Sequence, residues 1–156
     1  MAIVEPDRFI LALQKNAALY QMLLRDVDQS RATANRDGGD GWTVLEVICH
    51  LHDWEQIFSD RARMMVEQDN PAFPSYDTLT LVIENNYMGQ QFSDMFSEWM
   101  VRRGKFLSWI NQRSGGDWSR TGIHPSHGQI TLLDQLIQVT THDIDHLEQI
   151  LRVLNS

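Results

Sequence analysis

Apolar residues recur at three- and four-residue steps through most of this chain, the period of a helix with one buried face. Phe9, Leu13, Ala17, Tyr20, Leu24 and Val27 form the first such stripe. It predicts a helix from Pro6, a residue suited to a first turn, to about Val27. A second stripe, Val47, Leu51, Trp54 and Phe58, follows Trp42, Thr43 and Glu46. That triplet has the form of a capping box, in which the threonine hydroxyl accepts from the Glu46 amide while the carboxylate reaches back. The second helix fades near Gln68. A third is expected from about Tyr87 to Gln112, burying some of Phe92, Phe96, Trp99, Phe106, Leu107 and Ile110. The fourth runs from Leu132 to about Leu154, with Thr131 as N-cap and Asp134 at the third helical position. It carries Leu133, Leu136, Ile137, Thr140, Ile144, Leu147, Ile150 and Leu151.

The segments between these stripes are polar or broken. Ser30 to Gly41, with Asp37, Gly38, Gly39 and Asp40, has no apolar period and is expected to be an exposed connection. Two prolines with Asn70 and Ser75 interrupt the pattern from Asn70 to Tyr76, and a less regular piece follows through Asn86; this is the candidate lid. Gly115 and Gly116 end the third helix, and a loop through Trp118, Arg120, Gly122, His124, Pro125 and Gly128 leads to the fourth. Every strong signal has a helical period, and no repeat or low-complexity tract appears. Four amphipathic faces bury one another in an all-α four-helix bundle, and 156 residues suit one domain, 1–156.

Composition narrows the class. With 42% hydrophobic and 22% charged residues the chain is of ordinary globular type, and no stretch is apolar for long enough to span a bilayer. The opening MAIVEPDRF lacks the basic and apolar regions of a secretory signal, which makes the cytoplasm the expected compartment. The lone Cys49 has no internal disulfide partner and agrees with a reducing environment. A formal net charge of -8 argues against a nucleic-acid partner, whose binding draws on neutralised phosphates. The one basic cluster, Arg102, Arg103 and Lys105, is short and is expected to be a solvated helix face.

The histidines carry the candidate chemistry. His142 and His146, in THDIDHLEQI, are one helical turn apart and project from one stripe. His50 lies three residues from Val47 and four from Trp54, on the core-facing side of the second helix. If those two helices lie side by side, three neutral imidazoles converge, the donor set of an open metal site. A pair of histidines at this spacing also arises by chance among six in the chain, and on a surface it is no more than polar decoration. His52 is about 200° around the helix from His50, so it does not share the site and is expected to be exposed. Cys49 is expected to be a small core residue. Asp53 is either an acceptor for an imidazole N–H or a surface charge. Asp143 and Asp145 turn away from the pair and are expected to be solvated. His124 and His127, on the loop, are either polar loop residues or a labile ligand or proton shuttle at the mouth. No glycine-flanked nucleophile, phosphate-binding glycine loop or CxxC pair is present, and no residue stands out as a general base.

The stretches WTVLEVICHLHDWE, RTGIHPSHGQITLLDQL and HDIDHLEQI resemble the DinB-like superfamily of small metalloproteins, in order and with comparable spacing from Gly41 to the end. Trp42, Thr43, Glu46 and His50 match one family pattern; His142, Asp143, His146, Leu147 and Gln149 match the other. The resemblance implies a four-helix bundle, often a homodimer, in which the matching histidines bind one divalent metal. Members with known activity include bacillithiol-using transferases and a mycothiol-dependent maleylpyruvate isomerase. His127 matches no position of the family's triad.

Together these readings point to a metal-dependent enzyme acting on a small molecule, with His50, His142 and His146 as ligands. Zinc, nickel, iron, manganese and cobalt are not distinguished by three imidazoles. By family analogy the chemistry is thiol-dependent transfer with a low-molecular-weight thiol, and the lid and the loop carrying Arg120 and His124 are where its contacts are expected. Metal-assisted hydrolysis is the alternative within enzymes. A metal-binding or dimerising bundle without catalysis is the alternative outside them.

Overall fold

A computed structural model describes residues 4–156. Four long helices dominate: α1 (Pro6–Leu23), α3 (Val44–Glu67), α5 (Phe92–Ile110) and α6 (Leu132–Leu154). Two short ones, α2 (Gln29–Ala34) and α4 (Thr78–Glu84), sit in the connections. A two-stranded antiparallel hairpin, β1 (Thr121–His124) with β2 (Gly128–Thr131), precedes α6. No helix among the described residues is long and apolar enough to cross a membrane.

The helix starts follow local chemistry. Pro6 opens α1, where its missing N–H costs nothing. Thr43 caps α3 through the Glu46 amide, but the Glu46 carboxylate does not reach back: it accepts from Arg36 Nη1 at 3.1 Å. The reciprocal box occurs instead at α6, where Thr131 Oγ1 accepts from the Asp134 amide and Asp134 accepts from the Thr131 amide. The connection expected to be exposed, Ser30 to Gly41, is largely so, and it contains most of α2, capped by Asp28, and one tight turn at Asp37–Gly39. The loop after Gly116 is largely a hairpin. Its four-residue strands, with glycine at positions 122 and 128, are too short to show a period of two in the sequence. Gly122 is required there by packing, because a Cβ would stand 2.3 Å from the Phe73 ring.

The four long helices pack as a ring in which α1 touches α5 and α6, and α3 touches α5 and α6. Helices α1 and α3, consecutive among the long four, therefore face each other across a diagonal, as do α5 and α6. The long connections through α2 and through the hairpin make these diagonal passages possible. The apolar core falls into two clusters. One gathers Tyr20, Leu24, Ile48, Leu51, Trp99, Ile150 and Val153; the other gathers Leu13, Phe58, Met65, Phe106, Leu136 and Val139.

A buried polar layer separates the clusters, with a residue from each long helix: Asn16, Glu55, Arg103 and Asp143. Two of the expected solvated charges are therefore inside, with Arg103 and Asp143 each 1% exposed. The physical reason is mutual. Arg103 Nε and Nη2 donate to Glu55 at 2.7 and 2.8 Å, Nη1 and Nη2 donate to Asp143 at 2.7 and 2.9 Å, and Nη1 also donates to the Leu13 carbonyl. All five guanidinium N–H groups are thus used. Burial works against the charge, and the two carboxylates overcome it, holding the Arg103 pKa well above its usual value. Asn16 Nδ2 donates to Asp143, the Tyr20 hydroxyl to the Asp143 carbonyl, and Trp99 Nε1 to Glu55. Two apolar positions of the fourth helix go the other way: Ile144 and Leu151 are exposed.

Removing the guanidinium leaves two buried carboxylates facing one another. Arg103→Met is expected to lower stability by about 3–5 kcal/mol, the cost of breaking a buried ion pair from one side. Adding Glu55→Gln and Asp143→Asn to it is expected to restore part of the loss. Denaturant midpoints at unchanged m-value measure both effects.

Candidate metal centre

The ring packing sets α3 against α6, and the two histidine stripes meet. His50 is buried, His142 and His146 half-buried. His142 Nε2 lies 3.0 Å from His50 Nε2 and 3.2 Å from His146 Nε2. Three imidazole nitrogens sharing one ion at about 2.1 Å stand roughly 3.0–3.4 Å apart on an octahedral face or a tetrahedron. The donor set fits a divalent cation on spacing.

It also fits on protonation. Burial, then the neighbouring His146 and His142, pull the His50 pKa down to about 2. Burial, then His146 and Arg103, pull His142 down to about 3. Burial lowers His146 as well, against the hydrogen bond to Gln149. The cluster is neutral at pH 7, the state in which imidazole donates a lone pair. The tautomer of His146 is fixed: the Gln149 carbonyl oxygen, 2.8 Å away, only accepts, so Nδ1 carries the proton and Nε2 is free toward the cluster. Gln149 is held in turn by donating to Asp37, which also takes two bonds from Arg152. The turn at Asp37, glycine-rich and without apolar period, gave no sign in the sequence of this supporting role.

Aromatic rings wall the centre. Trp42 stands 5.0 Å from His50 between centroids, Trp54 5.9 Å from His50 and 6.4 Å from His142, and Phe58 5.2 Å from His142. The polar layer lies directly behind, since Asp143 follows His142 in the chain.

The other histidines lie elsewhere. His52 is outside the centre, as its angle on the helix required, but it is buried rather than exposed. Its Nδ1 lies 3.0 Å from Asp53 and its Nε2 3.1 Å from Glu98, and these partners compensate for the lost solvent. Asp53 therefore serves His52, not His50, and also accepts from Asn85 and the Tyr87 hydroxyl. Cys49 is buried, and burial pushes its thiol up to about 12, as befits an inert core residue. His124 is buried and His127 exposed on the hairpin, neither among the three converging residues. Arg120 donates through Nε and Nη2 to the Met65 and Gln68 carbonyls at the end of α3. The first residues of the candidate lid are held to the hairpin by backbone bonds from the Phe73 N–H to the Ile123 carbonyl and from the Ile123 N–H to the Pro71 carbonyl.

A family model described as the DinB superfamily matches residues 12–150. A protein of Oceanobacillus iheyensis, provisionally named a metal-dependent hydrolase, is 29% identical over 119 residues, 76% of this chain and 67% of its own length. Among solved structures, YfiT from Bacillus subtilis superposes with a TM-score of 0.86 at 21% identity, over 98% of this chain and 87% of that one. It is described as a probable metal-dependent hydrolase with an unusual four-helix bundle topology. A mycothiol-dependent maleylpyruvate isomerase superposes at 0.78 with 12% identity, over 96% of this chain but 63% of its own. At these identities the two structures establish the bundle.

The depressed imidazoles have a consequence for acid stability. Below about pH 6.5, the usual histidine value, the unfolded chain takes up protons that folded His50 and His142 refuse. The contribution of these two histidines to the stability of the metal-free protein is thus full above that pH and is lost as pH falls toward about 3 and 2. The slope is ~1.4 kcal/mol per pH unit for each such histidine. Chemical denaturation of the metal-free protein between pH 7 and 5 is expected to show it, with a smaller slope in His50→Phe.

Proposed function

This chain belongs to the DinB superfamily, and on that premise we propose that it is a divalent-metal-dependent enzyme acting on a small molecule, with His50, His142 and His146 as the ligands. The observation that carries the reading is the convergence of three neutral imidazoles, at 3.0 and 3.2 Å, on one point between α3 and α6. A bound divalent ion supplies Lewis acidity at positions that three protein ligands leave open, toward a water or a thiolate.

The chain's own residues prepare that point. Gln149 holds the His146 proton on Nδ1 and so keeps Nε2 as a donor. The salt-bridged Asp143 fixes the backbone that presents His142. Trp42, Trp54 and Phe58 restrict water around the donors, and Tyr76 stands over Trp54 at 6.5 Å between centroids.

For the reaction we favour transfer involving a low-molecular-weight thiol, supported by the family resemblance and by the bundle shared with the mycothiol-dependent isomerase. The second reading is metal-assisted hydrolysis, supported by the name of the Oceanobacillus iheyensis relative. The two differ in what occupies the open positions, a soft sulfur or a water.

Purified untagged protein is expected to hold close to one equivalent of a divalent metal. His142→Ala and His146→Ala are expected to lose it while circular dichroism still reports a helical fold, because the apolar clusters and the Arg103 layer remain. Full occupancy in either variant sinks that ligand assignment. With cobalt in place, one of bacillithiol, mycothiol, glutathione or coenzyme A is expected to produce a sulfur-to-metal charge-transfer band that His50→Ala removes. Metal bound but no band across the panel moves the reading to hydrolysis.

A further inference from the structure

Arg61 is the anomaly of this molecule. It lies three turns along α3 from His50, on the same stripe, and is 3% exposed. No carboxylate pairs with it among the described residues. The contrast with Arg103 is direct: both are buried guanidinium groups, but Arg103 has two carboxylates and Arg61 has none. A buried cation without a counter-ion is costly, and burial lowers its pKa. Arg61 Nη2 donates to the Pro74 carbonyl at 3.3 Å, and Nε has no partner.

Its other neighbour makes the site more unusual. Arg61 Nη1 lies 3.2 Å from His124 Nε2. His124 Nδ1 accepts from the backbone N–H groups of Ser126 and His127, at 3.1 and 3.2 Å, so in neutral His124 the ring proton is on Nε2. Two N–H donors are therefore turned toward one another. An acceptor alongside them takes a hydrogen bond from each and removes the conflict.

A third donor waits on the same stripe. Trp54 Nε1 is buried without a partner, as is His50 Nδ1. Trp54 connects the two regions: its ring is 5.5 Å from the Arg61 guanidinium carbon and 5.9 Å from the His50 ring. The guanidinium carbon lies 5.5 Å from the Trp54 ring centroid and 5.6 Å from that of Phe73, so both rings are within cation–π range of it. A guanidinium forks onto a carboxylate with two parallel N–H···O bonds, and a carboxylate, with one negative charge, balances the single charge of Arg61.

We propose that Arg61 and His124 form a binding site for a carboxylate of the small-molecule ligand, on the far side of the Trp54 ring from the three-histidine centre. The carboxylate supplies the counter-ion that the chain withholds from Arg61. Its role as the anchor of a substrate rests on the metal-enzyme reading above; the anion site itself does not.

The test uses the indole N–H resonance of Trp54 in isotope-labelled, full-length protein, titrated separately with succinate, its uncharged diamide and inorganic phosphate. Succinate is expected to shift the resonance saturably, the diamide to leave it unmoved, and phosphate to bind more weakly. In Arg61→Gln, shown folded by circular dichroism, the succinate affinity is expected to fall about tenfold or more, the loss of a charged hydrogen-bonding group. In His142→Ala the response is expected to persist, which separates this site from the metal assignment tested by elemental analysis. No succinate response in the unaltered protein overturns the proposal, as does an equal response in folded Arg61→Gln. A response to phosphate alone overturns the carboxylate assignment. Should Arg61→Gln fail to fold, His124→Phe provides the same comparison.

Discussion

The guanidinium of Arg103 reaches every other long helix of the bundle: Glu55 on α3, Asp143 on α6 and the Leu13 carbonyl on α1. Such a contact cannot slide. Apolar burial is non-directional, so an apolar interface sets the register of two helices only through the shape of the side chains that interdigitate. A fork of five satisfied N–H groups sets it directly, since a displaced acceptor leaves a buried donor unpaired. Helices α5 and α6 face each other across the diagonal of the ring, and the reach of an arginine side chain joins them there.

The candidate metal centre inherits its geometry from that layer. Glu55 lies five residues after His50 on α3, and Asp143 follows His142 on α6. Fixing the two carboxylates on one guanidinium fixes the heights of the two helices that carry the imidazoles. Gln149 and Asp37 then set the orientation of the third ring from outside the core. The result is a site in which donor spacing, neutral protonation and one tautomer are all determined before an ion arrives, so little reorganisation opposes its binding.

The stripes made four helices legible, because a period of 3.6 over several turns is a strong signal, and both ends of the last helix matched the sequence reading. The convergence of His50 with His142 and His146 was legible as a condition on helix packing, and the ring arrangement meets it. What sequence could not show was which charges are inside. Arg103 and Asp143 sit among polar neighbours in the chain, and only three-dimensional pairing makes their burial tolerable. His52 is the same case, buried against Asp53 and Glu98. Ile144 erred in the opposite direction: one apolar residue between two histidines and two aspartates is fitted to the stripe on hydropathy alone, although it points outward. The hairpin escaped because four-residue strands are shorter than any pattern that distinguishes them from loop.

The central claim is that His50, His142 and His146 hold one divalent ion through their Nε2 atoms. Anomalous scattering from a crystal of the metal-loaded protein, collected on either side of the absorption edge of that metal, tests it most directly. One strong peak is expected, about 2.0–2.2 Å from each of the three Nε2 atoms. A peak at the His52, Asp53 and Glu98 group instead, or metal in solution with no peak between α3 and α6, would contradict it.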